Sequence, residues 1–362
     1  MMTVSCDEKE DVVVTPPPVV EEIVISNEVP SGVNVPEGMV YIPEVSYTRG
    51  NERELGTRAR YPEEAPEHKV TVSAFLIDET EVTNAQFLKF VEATGYLTQA
   101  EKGLTKKDFP HAPADQLQAG ASVFTPPAEQ PELWEEGAVF QWWEFTAGAN
   151  WRHPSGPDSS IEDKMDHPVT CVTNEDAQAY AKWAGKRLPT EAEWEAAARG
   201  GLERKLFTWG DSPRVDDAWM GNTFQGTFPT KDTQLDGYGN TAPVRSFPPN
   251  AYGLYDMAGN VWEHVSDFYR PDAYKEYAEE EAVNPNGPLF SIDYNMHQEI
   301  EKNGKVPEGM FPFHRLGVLY TTKGGSFLCH HSYCLRYRPA ARHYSEGLTP
   351  TNHTGFRCAQ SL

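Results

Sequence analysis

Trp183-Ala184-Gly185-Lys186-Arg187-Leu188-Pro189-Thr190-Glu191-Ala192-Glu193-Trp194-Glu195 holds the end of one helix and the start of the next. Gly185 can take the left-handed conformation that stops a helix. Five residues on, Thr190 with Glu193 forms a capping box, the reciprocal side-chain-to-backbone pairing that opens a helix. Working outward, Thr173 with Asp176 starts the upstream helix, with Tyr180 and Trp183 inward, and Gly200-Gly201 closes the downstream one. Thr83 with Gln86 opens a third, with Phe87, Phe90 and Val91 on one face and Gly95 past its end. All three are brief. Short β-like runs such as Lys69–Phe75 and Leu316–Thr321 lie among Gly- and aromatic-rich segments, without a fixed repeat or strand–helix alternation. The expectation is α+β: a single irregular, loop-rich domain of low regular secondary structure.

Composition narrows the class further. A length of 362 residues allows one large domain or two ordinary ones. Apolar residues at 39% and aromatics at 12% suffice for a core, while 28 Gly and 29 Pro suit loops better than long helices. The formal charge of −23 argues against gripping phosphate backbones, so no nucleic-acid partner is expected. No run of 18 apolar residues exists, so no transmembrane segment is expected. Residues 1–32 carry Asp7, Glu8, Glu10 and Asp11, then Pro16-Pro17-Pro18, then Glu21 and Glu22, with no aromatic. They read as a flexible acidic, Pro-rich tether ahead of a globular domain over 33–362. Cys6, after Thr3-Val4-Ser5, resembles the acyl-bearing start of a mature bacterial lipoprotein, although no charged or apolar leader precedes it. A trimmed leader and a chance cysteine in a tail are the open alternatives. The corresponding locations are the bacterial cell envelope or the secreted and periplasmic space, with the cytoplasm as alternative.

The chemistry-bearing stretch is Lys323-Gly324-Gly325-Ser326-Phe327-Leu328-Cys329-His330-His331-Ser332-Tyr333-Cys334-Leu335-Arg336-Tyr337-Arg338. Two cysteines five apart are, in an arbitrary soluble protein, a local disulfide or two buried thiols. Neighbouring arginines favour thiolate over thiol. Two converging thiolates make a soft, low-coordinate site suited to Cu(I). Zinc fits less well, because no second Cys-x-x-Cys or His pair accompanies them. His330 and His331 are either third ligands or ordinary hydrogen-bonding residues.

The sequence resembles the formylglycine-generating enzymes, or sulfatase-modifying factors, from Gly38 to Cys358. The resemblance runs through Glu79–Asn84, Thr94–Thr98, Gly148–Pro154, Asp166–Val169, Trp183–Glu195, Gly253–Asp256, Gly259–Glu263, Gly325–Arg338 and Gly355–Cys358. It implies their fold, a relative of the C-type-lectin-like fold. It also implies a copper-dependent oxidase that uses O2 to convert the cysteine of a C-x-P-x-R sequence to Cα-formylglycine. The implied partner is an unfolded or nascent sulfatase polypeptide, and the protein would act as a monomer. By the same resemblance Cys329 and Cys334 hold Cu(I) and are catalytic, and Ser326 belongs to the active-site floor. His330, Tyr333 and Arg338 would line the site around substrate and oxygen. Asn222, the Thr223 carbonyl, Asp236 and the Tyr238 carbonyl would form one structural Ca²⁺ site. Asn260, the Val261 carbonyl and Glu263 would form a second. Oxygen-only donors are what Ca²⁺ prefers. Asp236-Gly237-Tyr238-Gly239-Asn240 taken alone reads as a plain turn.

The chain departs from the family pattern at several places. Two disulfides of vertebrate-type members map to Ala181 with Cys358 and Ala198 with Pro339; Cys171 either replaces a partner or stays free. The Trp-Glu-Trp of the family reads Trp262-Glu263-His264, and the segment from about Leu289 to Tyr320 is longer. The acidic excess and the Arg of the target sequence together predict a carboxylate-lined groove near Cys329. The rival reading is a non-catalytic, lipid-anchored domain of the same fold in cell-envelope assembly or secretion. An iron-dependent sulfoxide synthase of the superfamily would need a His-rich metal motif, and none is evident.

Overall fold

The computed structural model describes residues 27–56, 61–106, 117–289, 291 and 318–362. Cys6, most of the tether expected over 1–32 and most of the long segment expected over 289–320 lie outside them.

The predicted capping boxes close as pairs of reciprocal bonds. Thr83 and Gln86 start α1 (Asn84–Thr94), Thr173 and Asp176 start α3 (Asn174–Trp183), and Thr190 and Glu193 start α4 (Glu191–Arg199). A fourth box, Thr98 with Glu101, opens the single turn α2 (Gln99–Lys102). The end of α3 is a Schellman motif. Lys186 N donates to Ala181 O and Gly185 N to Lys182 O, with Gly185 at φ 70°. One residue departs from expectation. Trp183, predicted inward, is 43% exposed, because its ring lies over Tyr180 and Phe90 at the rim of their cluster.

The strands form small separate sheets. β1 (Met39–Ile42), β4 (Phe75–Asp78) and β14 (Ala359–Ser361) make one sheet in the order β1-β4-β14. β2 (Val45–Arg49), β3 (His68–Val72) and β10 (Ala282–Val283) make another. β5 (Gly120–Phe124) pairs β6 (Trp143–Ala147), and β7 (Gly226–Thr227) pairs β8 (Lys231–Asp232). The sheet that positions the site has the order β12-β11-β9-β13: His343–Glu346, Leu319–Lys323, Trp262–Phe268 and Thr354–Gly355. The strand expected at Leu316–Thr321 thus sits slightly later. The chain between β11 and β12, residues 324–342, carries both cysteines.

Apolar packing divides into neighbouring clusters. One joins Ile42, Val70, Val72, Phe75, Trp194 and Val265; another joins Phe87, Trp151, Tyr180 and Phe356. Between α4 and β11 the interior is charged. Glu191 contacts Arg49 (2.8 Å) and Arg342 (2.8 Å), while Glu195 contacts Arg199 (2.7 Å) and Lys323 (3.2 Å), all six side chains being buried. Burial opposes ionisation of Glu195, but Lys323, Arg199 and Arg49 outweigh it and hold the carboxyl at about 2. This network fixes β11, and with it the start of the cysteine loop, to α4.

Candidate active site

Gly324 and Gly325 turn the chain out of β11 at φ 89° and 72°. A Cβ on Gly325 would come within 2.9 Å of Tyr337 N, so glycine is needed for the close approach as well as the angle. The loop then winds on itself. Cys329 N donates to Ser326 O (2.9 Å), Leu328 N to Ser326 Oγ (3.2 Å), and Cys334 N to His330 O (2.7 Å). This winding brings the two sulfurs to 2.9 Å without a disulfide.

The thiols differ in environment. Burial and the hydrogen bond to its partner push the Cys329 thiol well up. Cys334 receives that bond and lies beside Arg336, which together lower it to about 7 against the opposing effect of burial. Cys334 is therefore the more readily ionised sulfur of the two, and a thiolate is the form that a soft cation binds. Arg336 is itself set by Glu63 (2.8 Å) and lies over the Tyr61 ring, whose hydroxyl accepts from Leu335 N (2.8 Å).

Both sulfurs open into a cavity of about 610 Å³. Ser326 and Tyr333 line it with them. Aromatic rings supply most of the remaining wall: Tyr333 stacks on Phe228 at 4.8 Å and meets Trp142 edge-on at 5.7 Å. A larger cleft of about 880 Å³, lined by Phe75, Lys182, Lys186 and Arg187, shares no residue with it. There Lys186 and Arg187 are already paired with Asp78 and Glu193. Chemistry rather than size singles out the thiol cavity.

The other expected residues fall in different places. His330 is buried with its Nδ1 against Ser332 Oγ (2.8 Å) and its ring against Phe224 and His331. It does not line the cavity, and the described residues contain no group of three His, Cys, Asp or Glu able to share a metal. Hydrogen bonding is what His330 does here. Arg338 is also absent from the cavity wall. It is fully buried behind the loop, its Nη1 2.8 Å from Glu64 Oε2 and its Nε donating to Leu335 O. Arg336, two residues earlier, is the guanidinium that reaches the site.

The two oxygen clusters also differ. Around the first, Asp236 Oδ2 accepts from Gln225 Nε2 (2.6 Å) and from Thr223 N (3.0 Å), and the Thr223 carbonyl accepts from the same Gln225 amide. The Oδ1 of Asn222 is buried without a partner, which suits a cation. These donors fit Ca²⁺. In the second cluster Glu263 is bound on both oxygens by Arg357 (2.7 and 2.8 Å) and by Trp194 Nε1 (2.7 Å). Asn260 Oδ1 accepts from Ala242 N and Asn222 Nδ2. Every oxygen of these two side chains already accepts a hydrogen bond, whereas the first cluster keeps the unpartnered Asn222 Oδ1, so the first set fits a calcium ion better than the second.

The two other cysteines among the described residues are inert in place. Cys171 and Cys358 are free, buried and in different apolar clusters, and burial pushes both thiols up. His264, where the family has Trp, is buried between Val172 O (3.1 Å) and Ser345 Oγ (3.3 Å), and burial lowers it to about 4. Sequence reading missed Trp142, Trp262, His343, Tyr344 and His353 in the cavity wall, which reach it from distant segments. The Trp-rich run Trp134–Trp143 was the one signal that could have found part of them.

Residues 26–362 match the FGE-sulfatase family, described as the Sulfatase-modifying factor enzyme 1-like domain. The chain is 43% identical over 311 residues to the Formylglycine-generating enzyme of Mycobacterium tuberculosis, covering 85% of this chain and 95% of that one. It is 38% identical over 239 residues to the Inactive C-alpha-formylglycine-generating enzyme 2 of Mus musculus, covering 64% and 70%. Among solved structures, PvdO from Pseudomonas aeruginosa shares the fold, with a TM-score of 0.54 at 23% identity over 90% of this chain and 94% of that one. Fold, family match and sequence identity over most of the chain agree: the chain belongs to the formylglycine-generating, sulfatase-modifying factor family.

Proposed function

We propose that this protein is an oxidase that converts the cysteine of a C-x-P-x-R sequence in a sulfatase polypeptide to Cα-formylglycine, with Cu(I) held by Cys329 and Cys334 and O2 as oxidant. The observation that carries the reading is the reduced thiol pair at 2.9 Å opening into an aromatic cavity, in a chain of this family. Copper, when bound, would supply activation of O2 and a soft point for the substrate sulfur. The chain's own residues do the rest. Ser326 Oγ holds Leu328 N, keeping the first cysteine's turn in place. The hydrogen bond from Cys329 and the charge of Arg336 lower the Cys334 thiol, and Trp142, Phe228 and Tyr333 wall off the substrate's Cβ–H from water. The electron count adds a requirement. Converting CH2–SH to CH=O with loss of sulfide releases two electrons, while reducing O2 to water takes four. A second thiol donor must supply the remaining two.

Ca²⁺ at Asn222, the Thr223 carbonyl, Asp236 and the Tyr238 carbonyl is proposed as a structural ion. The test of the main reading is incubation with Cu(I), a thiol reductant, O2 and a C-x-P-x-R peptide. Mass spectrometry should show loss of the thiol and gain of the aldehyde. An unchanged peptide mass under these conditions would reject the oxidase and favour the non-catalytic alternative.

A further inference from the structure

The wall of the thiol cavity continues into a second cavity of about 380 Å³. The two share Val139, Trp143, Trp262, His343, Tyr344 and His353. The shared wall includes the first half of β12, and the second cavity follows that strand to its end at Glu346. Strand register gives the direction: His343 lies opposite Thr322, next to the cysteine loop, and Glu346 lies opposite Leu319, at the far end. Three strand steps separate them, about 10 Å.

Glu346 is the carboxylate of this second cavity. Its Oε2 accepts from Thr349 Oγ1 (3.0 Å), and no described cation pairs with it. Burial alone pushes it up to about 7, the behaviour of a carboxyl lacking a counter-charge. Glu135 and Glu136, the other carboxylates of the groove, sit exposed at the mouth of the first cavity. Exposed carboxylates contribute little to binding a cation, whereas a partly buried one with no partner gains more.

Resting on the conversion reading above, we infer that Glu346 is the specificity residue of the groove, receiving the cationic side chain that follows the reacting cysteine in the substrate. An extended peptide covers about 13 Å in the four residue steps from Cys to Arg of C-x-P-x-R. With its cysteine at the thiol pair and its chain along β12, such a peptide is long enough to carry its guanidinium to Glu346.

Binding to the full-length protein tests this without turnover. Fluorescently labelled S-x-P-x-R and S-x-P-x-A peptides are titrated by anisotropy against wild type, E346Q, E346K and the double variant E135Q/E136Q. The expected result is that E346Q weakens the Arg peptide about tenfold and leaves the Ala peptide unchanged. E346K should prefer a peptide carrying Glu in place of Arg, and E135Q/E136Q should retain the Arg preference. Equal affinity of wild type and E346Q for the Arg peptide would overturn the inference. So would equal loss of both peptides in E346Q, or loss of the preference in E135Q/E136Q instead. The conversion reading fails separately: an unconverted cysteine peptide rejects it, while an Arg preference erased by E346Q still assigns the subsite.

Discussion

Replacing Glu64 by Gln would leave a guanidinium buried without its counter-charge directly behind the cysteine loop. Arg338 and Glu64 are each 0% exposed, and the pair is bidentate, with Nη1 to Oε2 at 2.8 Å. Arg338 also reaches Leu335 O with Nε and lies over the Tyr61 ring, 4.9 Å from its centre. Breaking a buried pair by removing one partner costs about 3–5 kcal/mol, because the remaining charge stays desolvated. At roughly 2–4 °C per kcal/mol for a large domain, Tm should fall by about 6–20 °C. Replacing both members, Glu64→Leu with Arg338→Met, should recover most of that loss, since no charge is then stranded. Thermal unfolding of the two variants and wild type measures the difference. A Glu64→Gln protein within about 0.5 kcal/mol of wild type, with a raised KM for peptide, would refute the reasoning. It would return Arg338 to the substrate-facing role that the family resemblance implied.

Other outcomes follow from the same geometry. Cys329→Ser and Cys334→Ser should each abolish aldehyde formation while keeping wild-type Tm, because a hydroxyl is too hard to replace thiolate on Cu(I); turnover by either variant would remove the copper site from the mechanism. Asp267 is buried, and burial together with Glu191 raises its carboxyl to about 7. Its folded value lies above its unfolded one, so the stability it contributes is full below about pH 4 and is lost as pH rises through 7. Asp267→Asn keeps an acceptor for Glu191 N and should be more stable than wild type at pH 8 by up to about 4 kcal/mol. The gain should shrink toward pH 4, and chemical denaturation across that range checks both. Elemental analysis after purification in calcium should find about one Ca²⁺ per chain, lost in Asp236→Ala; two ions would restore the Asn260–Glu263 set.

The helices were legible because a capping box is local: all its partners lie within four residues, as at Thr83–Gln86 and Thr190–Glu193. The cysteine pair was legible for the same reason. Arg338 and Trp183 were misplaced because their surroundings come from far away. Glu64, which takes Arg338 off the cavity wall, is 274 residues from it in sequence. Trp183 looked inward by helical spacing, but one of the two rings beneath it, Phe90, belongs to α1. Glu346 gave no sequence signal, because one carboxylate among 54 becomes distinctive only when its cavity and missing partner are known.

The six-residue charged interior between α4 and β11 also bears on how stability varies with temperature. Unfolding it hydrates guanidinium, ammonium and carboxylate groups, and newly hydrated polar surface lowers the heat capacity while apolar surface raises it. A domain that stores part of its cohesion in Arg49, Glu191, Glu195, Arg199, Lys323 and Arg342 therefore gains less heat capacity on unfolding than an all-apolar interior of the same size. Its free-energy curve against temperature is correspondingly shallow. The desolvation cost of those charges also falls as temperature rises. The cysteine loop anchored to this block thus keeps its footing over a wider thermal range than an all-apolar block would give it.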